Sequence, residues 1–228
     1  MIKYGIDQEA VIHQFSAASA KQGEAIRKAV GDATLKALQG RELTLANIRQ
    51  VLNTVAKAAS TGAASSPLGA VDLEALLAKA VAGMDAALEK AVQANRKALQ
   101  QMVDQGATLR ETQVKKALAD IEKMEDTLFG ALRKAAEGSQ ASMEGPWAKV
   151  LNAAQGKGTS TGAQASATIT QLMDSAQQNL RDGRSLGLRA SQAMFDSYST
   201  LVSGVLIGMS DALQQGGGAT PAKSSRKK

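Results

Sequence analysis

Between Val71 and Ala136 apolar side chains recur in alternating steps of four and three, which keeps one narrow face of a helix apolar for much longer than a compact domain needs. Leu77, Val81, Met84, Leu88, Ala91, Asn95, Leu99, Met102, Gly106 and Leu109 carry the stripe. Leu118, Ile121, Met124, Leu128 and Leu132 continue it, after a step of five from Leu109 to Val114 that predicts a local unwinding. Read as one helix from Asp72 to Glu137, this stretch would be about 100 Å long. Such an element fits only an elongated bundle or an oligomeric coiled coil, so the expected fold class is all-α: long amphipathic helices with coiled-coil-like packing. Leu77, Val81, Met84, Leu88, Leu99 and Met102 are the expected packing seam, and a homo-oligomer is the expected assembly.

Composition supports a thin core. Aromatic residues make up only 3% of the 228 residues, and Ala is the dominant apolar residue. A thick core needs large side chains to reach crystal-like density, whereas Ala and Gly let helix backbones approach closely. Ala is also the best helix former. The chain has no Cys, which excludes disulfides, thiolate metal sites and Cys nucleophiles. Met1 to Asp7 shows no apolar segment behind its charge, and a cytoplasmic location is expected. No apolar run approaches the roughly 20 residues of a membrane-spanning helix, so no transmembrane span is expected.

Turn and cap residues divide the chain. Residues 1–60 read as a helical pair: Asp7 caps a helix carrying Val11, Phe15, Ile26 and Ala33 toward Leu38, Gly40 stops it, and Thr44 caps a second. Residues 61–71, rich in Gly, Ser and Pro, read as a flexible linker. Residues 72–144 hold the long helix, with Asp72 as its cap. Residues 145–163 read as a short helix opened by Pro146, followed by the flexible joint Gly156 to Gly162. Residues 164–215 form a second long helix, about 75 Å from Ala165 to Gln214. Residues 216–228 are expected to be a disordered basic tail.

Few residues point to chemistry. His13 is the only histidine and has no Cys beside it, so an ordinary zinc site cannot form there. Glu24 with Lys28 and Glu111 with Lys115 have the spacing of surface ion pairs. Gly156 to Gly162 combines Gly, Lys and hydroxyls, but the order differs from a phosphate-binding loop and the flanks are helical. Asn95, on the stripe, either sets register or faces solvent. Trp147 anchors its segment against the bundle, with a ligand or membrane contact as the alternative. Gly residues inside helical segments, among them Gly31, Gly83, Gly106, Gly130, Gly204 and Gly208, imply close packing of helices or softness. No enzyme is expected and no cofactor is implied.

Two terminal features remain. Leu201, Val202, Val205, Leu206 and Met209 form the densest apolar patch, wider than a dimer seam requires; burial in the bundle is the ordinary expectation for them, and contact with a hydrophobic surface is the sharper one. Lys223, Arg226, Lys227 and Lys228 supply four of the six net positive charges and are the candidate nucleic-acid contact. The Ala-rich, Cys-free, aromatic-poor helical body and its Gly, Pro, Ala and Lys tail, with the single segment Pro221-Ala222-Lys223, resemble the phasins, bacterial proteins that coat polyhydroxyalkanoate granules. The resemblance implies an amphipathic-helix protein that self-associates and covers a polyester or lipid-like surface. A structural or regulatory coiled-coil scaffold and a nucleoid-associated protein are the alternatives.

Overall fold

The computed structural model describes residues 2–3, 6–16, 23–39, 42–66, 69–104, 111–139, 141–181 and 202–209. Seven named helices account for almost all of them: α1 (Gln8–Ser16), α2 (Gly23–Gln39), α3 (Leu45–Ala64), α4 (Ala70–Asp104), α5 (Glu111–Glu137), α6 (Ala141–Lys157) and α7 (Ser160–Arg181). Residues 202–209 add a further helical segment. The fold is all-α. Its one departure among the described residues is an antiparallel pair, β1 (Ile2–Lys3) and β2 (Ile6–Asp7), with Ile2 opposite Asp7.

Local chemistry sets several helix starts. Asp7 accepts from the Ala10 N–H at 3.2 Å, and Thr44, in extended conformation, accepts from the Asn47 N–H at 3.2 Å. Asp72 sits in the first turn of α4 rather than before it, where a carboxylate still complements the helix dipole. Pro146 lies inside α6 instead of opening it. Its missing N–H costs a helical bond, and the preceding Gly145 has no Cβ to crowd the proline ring.

α4 is the axis of the fold, and contacts along it fix the direction of its neighbours. Glu24 pairs with Lys79, and Arg27 and Gly31 lie against Gly83, so α2 runs parallel to α4. Ser160 and Thr161 bond Asp85, and Arg96 bonds Gln171 at 3.0 Å, so α7 also runs parallel to it. Lys149 reaches Glu74 at 3.1 Å, which lays α6 beside the start of α4, in line with α7 above it. Trp147 meets Ser60, near the end of α3, so α3 descends beside α4.

The single helix expected over 72–137 is two helices packed side by side. Thr159 donates to Glu125 at 2.6 Å while its neighbours Ser160 and Thr161 bond Asp85. In one continuous helix Asp85 and Glu125 would stand about 60 Å apart. α5 therefore descends alongside α4, and its stripe is buried against the same core. The apolar periodicity was real, but it marks two amphipathic helices facing one interior.

Both expected linkers are helical in part. α3 continues through Ala64, with Ser60, Gly62 and Ala63 buried; small side chains at its end let the Trp147 ring approach, and that packing overrides local composition. Between α6 and α7 only Gly158 and Thr159 leave the helix, Gly158 with φ of +72°. At the N-terminus β2, which leads into α1, also packs on α2, so α2 lies back along the chain start rather than continuing α1. The long helix expected over 165–214 is described only to Arg181 and over 202–209.

Glycines separate into two kinds. At the α2 and α4 crossing, Gly31 faces Gly83, and a Cβ at Gly31 would stand 3.3 Å from the Gly83 carbonyl oxygen. Gly130, on the exposed side of α5, has open space around it. Gly130→Ala is therefore expected to stabilise the protein by about 1 kcal/mol through helix propensity alone, as urea unfolding would show. Among the described residues nothing packs on Gly204 or Gly208, unlike Gly31 and Gly83.

Candidate hydrophobic contact surface

The segment 202–209 is docked rather than displayed. Val202 and Leu206, one turn apart, are fully buried in the main apolar cluster, with Val205 and Met209 partly buried against it. Of the two expectations for this patch, burial in the bundle is the one seen: the residues face inward because the segment closes on the bundle's own interior. Its outer side carries Gly204, Gly208 and Ile207, and Ile207 at 42% exposure is the only large hydrophobic side chain exposed among the described residues. Leu201 lies outside the described residues.

The seam is likewise used within the chain. Leu77, Val81, Met84, Leu88 and Leu99 are buried, and so are Leu76, Ala80, Ala87, Val92, Ala94 and Ala98 on other sides of α4. An apolar arc this wide belongs to the central helix of a bundle, not to a two-stranded coiled coil. Met102 lies near the end of α4, in a part whose side chains are not described. Asn95 is buried on the stripe, where its Nδ2 donates to the Ala91 carbonyl of its own helix at 2.8 Å. Trp147 anchors α6 as expected: the ring is fully buried and its Nε1–H donates to Ser60 Oγ at 3.2 Å.

A polar node holds the rods together where α6 gives way to α7. The Asp85 carboxylate accepts from the Ser160 and Thr161 N–H groups at 2.8 and 2.9 Å, and its carbonyl accepts from Thr161 Oγ1 at 3.1 Å. Thr159 Oγ1 donates to Glu125 and accepts from the Gly162 N–H at 2.9 Å. The free N–H groups that open α7 are thus satisfied largely by an acid from another helix. A Cβ at Gly162 would collide with the Glu125 carboxylate. Of these residues, Thr159 to Gly162 fall in the expected flexible joint Gly156 to Gly162, while Asp85 and Glu125 fall in the expected long helix. The local signal was Thr159 three residues before Gly162, the N-cap spacing, whereas Asp85 is 74 positions away in the chain and no local pattern links it to them.

Over the α2 and α4 crossing lies a shallow groove of about 230 Å³, floored by Gly31 and Gly83 and edged by Arg27, Asp32 and Lys90. At its rim Glu24 pairs with Lys79 and, at 3.3 Å, with Arg27, rather than with the expected Lys28. Lys79, through its hydrogen bond and charge, holds the Glu24 carboxyl below its ordinary 4.5, and Arg27 adds to this. Because the folded value is depressed, the pair contributes stability above the unfolded value and loses it as pH falls through the folded one. Lys79→Met is expected to return the Glu24 carboxyl most of the way to 4.5, as carboxyl NMR titration would show.

His13 is exposed, and among the described residues no group of three His, Cys, Asp or Glu is placed to hold a metal ion. Among them, too, no helix is long and apolar enough to cross a membrane. The side chains of Glu111 and Lys115 are not described, and Lys223, Arg226, Lys227, Lys228 and the rest of the expected tail lie outside the described residues.

No curated protein and no solved structure matches the chain. One family model does, over residues 1–215, which stops short of the basic segment. With nearly its whole length matched, the chain belongs to the DUF6781 family, a family of unknown function.

Proposed function

We propose that this chain is a non-enzymatic amphipathic-helix protein that self-associates and coats a hydrophobic surface in the cytoplasm, with a polyhydroxyalkanoate storage granule as the leading surface. The observation that supports the reading most is the make-up of the core. Among the described residues, 14 of the 42 buried apolar side chains are Ala and one, Trp147, is aromatic. Each Ala buries little area, so separating these faces forfeits less per residue than opening a core of Leu and Phe would. The faces thus released are long, apolar and backed by charge, the make-up of helices that lie in an interface. With their charged sides in water they would keep coated particles apart.

A fluorescent fusion expressed in granule-containing cells is expected to collect on the granules; a diffuse signal would sink the proposal. Ile207 offers a cleaner variant than its buried neighbours. Ile207→Asp is expected to lower the bound fraction several-fold with the melting curve unchanged, whereas Leu206→Asp places a charge in the core and tests docking of the segment instead.

A helical scaffold is the second reading, favoured by the fact that the α4 stripe is covered by the chain's own helices. Under that reading the protein forms a stable elongated assembly in solution and ignores apolar particles. A nucleic-acid role for Lys223, Arg226, Lys227 and Lys228 is tested separately, since removing Ala219 to Lys228 must then abolish salt-dependent DNA binding.

A further inference from the structure

α6 and α7 lie in line along α4, but they are fastened differently. α6 buries Met143, Trp147 and Val150. α7, over the side chains that are described, turns Thr161, Ala165 and Thr168 inward, with Ile169 partly buried. Over this first half of the helix, a face of Thr and Ala contributes little by burial. Among the described side chains, 160–171, the grip on α4 and α5 is largely polar: the first N–H groups of α7 bond Asp85, Thr159 donates to Glu125, and Gln171 accepts from Arg96. On α4, Asp85 and Arg96 are three turns apart on one face, and Val92, fully buried, falls on the same face between them. Leu88, also fully buried, flanks that line. The two helices meet at Gly158, whose left-handed backbone breaks the rod.

We infer that α7 is an arm that swings off α4 about Gly158 and Thr159 while α6 stays anchored by Trp147, with the Asp85 carboxylate as its latch. The swing uncovers Leu88 and Val92. Hinge and latch stand on geometry; the use of the uncovered stripe against an apolar surface rests on the proposed coating role. The arm would give the bundle a way to expose an apolar face without dismantling the layer of α2, α3 and α5.

Hydrogen exchange on the full chain separates hinge from general loosening. In Asp85→Ala, exchange across residues 161–171 is expected to rise about tenfold, the factor that about 1.4 kcal/mol of lost capping corresponds to, with α6 unchanged. Asp85→Asn, which keeps one acceptor oxygen, should fall between. Unchanged Trp147 emission in both variants would show that the rest of the bundle is folded. Faster exchange in α6 and α7 together, or in neither, overturns the hinge. Co-sedimentation of Asp85→Ala with polyester particles then tests the coating role: a larger bound fraction supports it, while an unchanged one with α7 loosened overturns that role and leaves the hinge standing.

Discussion

Gly83→Leu is expected to destabilise the protein by about 3 kcal/mol or more, the upper range for overpacking a close contact. At this crossing even a Cβ would strike the Arg27 carbonyl oxygen, and it would stand 3.0 Å from the Gly31 nitrogen and 3.2 Å from Val30 Cβ. Two of these three neighbours are backbone, so no rotamer change relieves the clash; α2 must move away from α4. Gly83→Ala tests the same point more finely. Its gain of about 1 kcal/mol in helix propensity works against the clash, and the net effect should still be destabilising, opposite in sign to Gly130→Ala. Urea unfolding of the three variants decides it: equal effects at 83 and 130 would mean that α2 and α4 are not in contact there.

Trp147→Ala is expected to cost about 4 kcal/mol, as large-to-small changes at fully buried aromatic positions do. The ring is the largest fully buried side chain and joins α6 to α3 through its bond to Ser60. Ser60→Ala should cost about 1 to 2 kcal/mol, because it leaves the indole N–H buried without its acceptor. As the only tryptophan, Trp147 also reports on its own environment. Its emission should be blue-shifted in the folded chain and move to the red in step with the loss of helix. Early exposure of the ring while helix remains would show that α6 is not the anchored half of the broken rod.

Features set by neighbouring residues were legible in the sequence. Asp7 and Thr44 cap the helices they precede, Trp147 anchors its segment, and Gly31 with Gly83 gives the close packing that Gly inside a helix suggests. What escaped was set at a distance. The Val71 to Ala136 stripe carries the same periodicity whether one helix faces a partner or two helices face each other, so pairing could not be read from spacing. Ser60 to Ala64 has a linker's composition, yet small residues are also what a helix needs where a tryptophan ring lies against it. Asp85 carries no local signal of its role, because its partners, the first N–H groups of α7, are brought to it only by the tertiary fold. The apolar character of Val202 and Leu206 was plain; that they point into their own bundle depended on an interior whose shape no single segment encodes.

The central claim is that the apolar faces closed within this bundle are meant for a hydrophobic surface. Co-sedimentation of the purified full chain with polyhydroxyalkanoate particles tests it most directly, with hydrophilic particles of the same size as the control and helix content followed by circular dichroism. Saturable binding to the polyester alone, with helix retained on the particle, is the expected result; a chain that stays in the supernatant with both kinds of particle would contradict the claim.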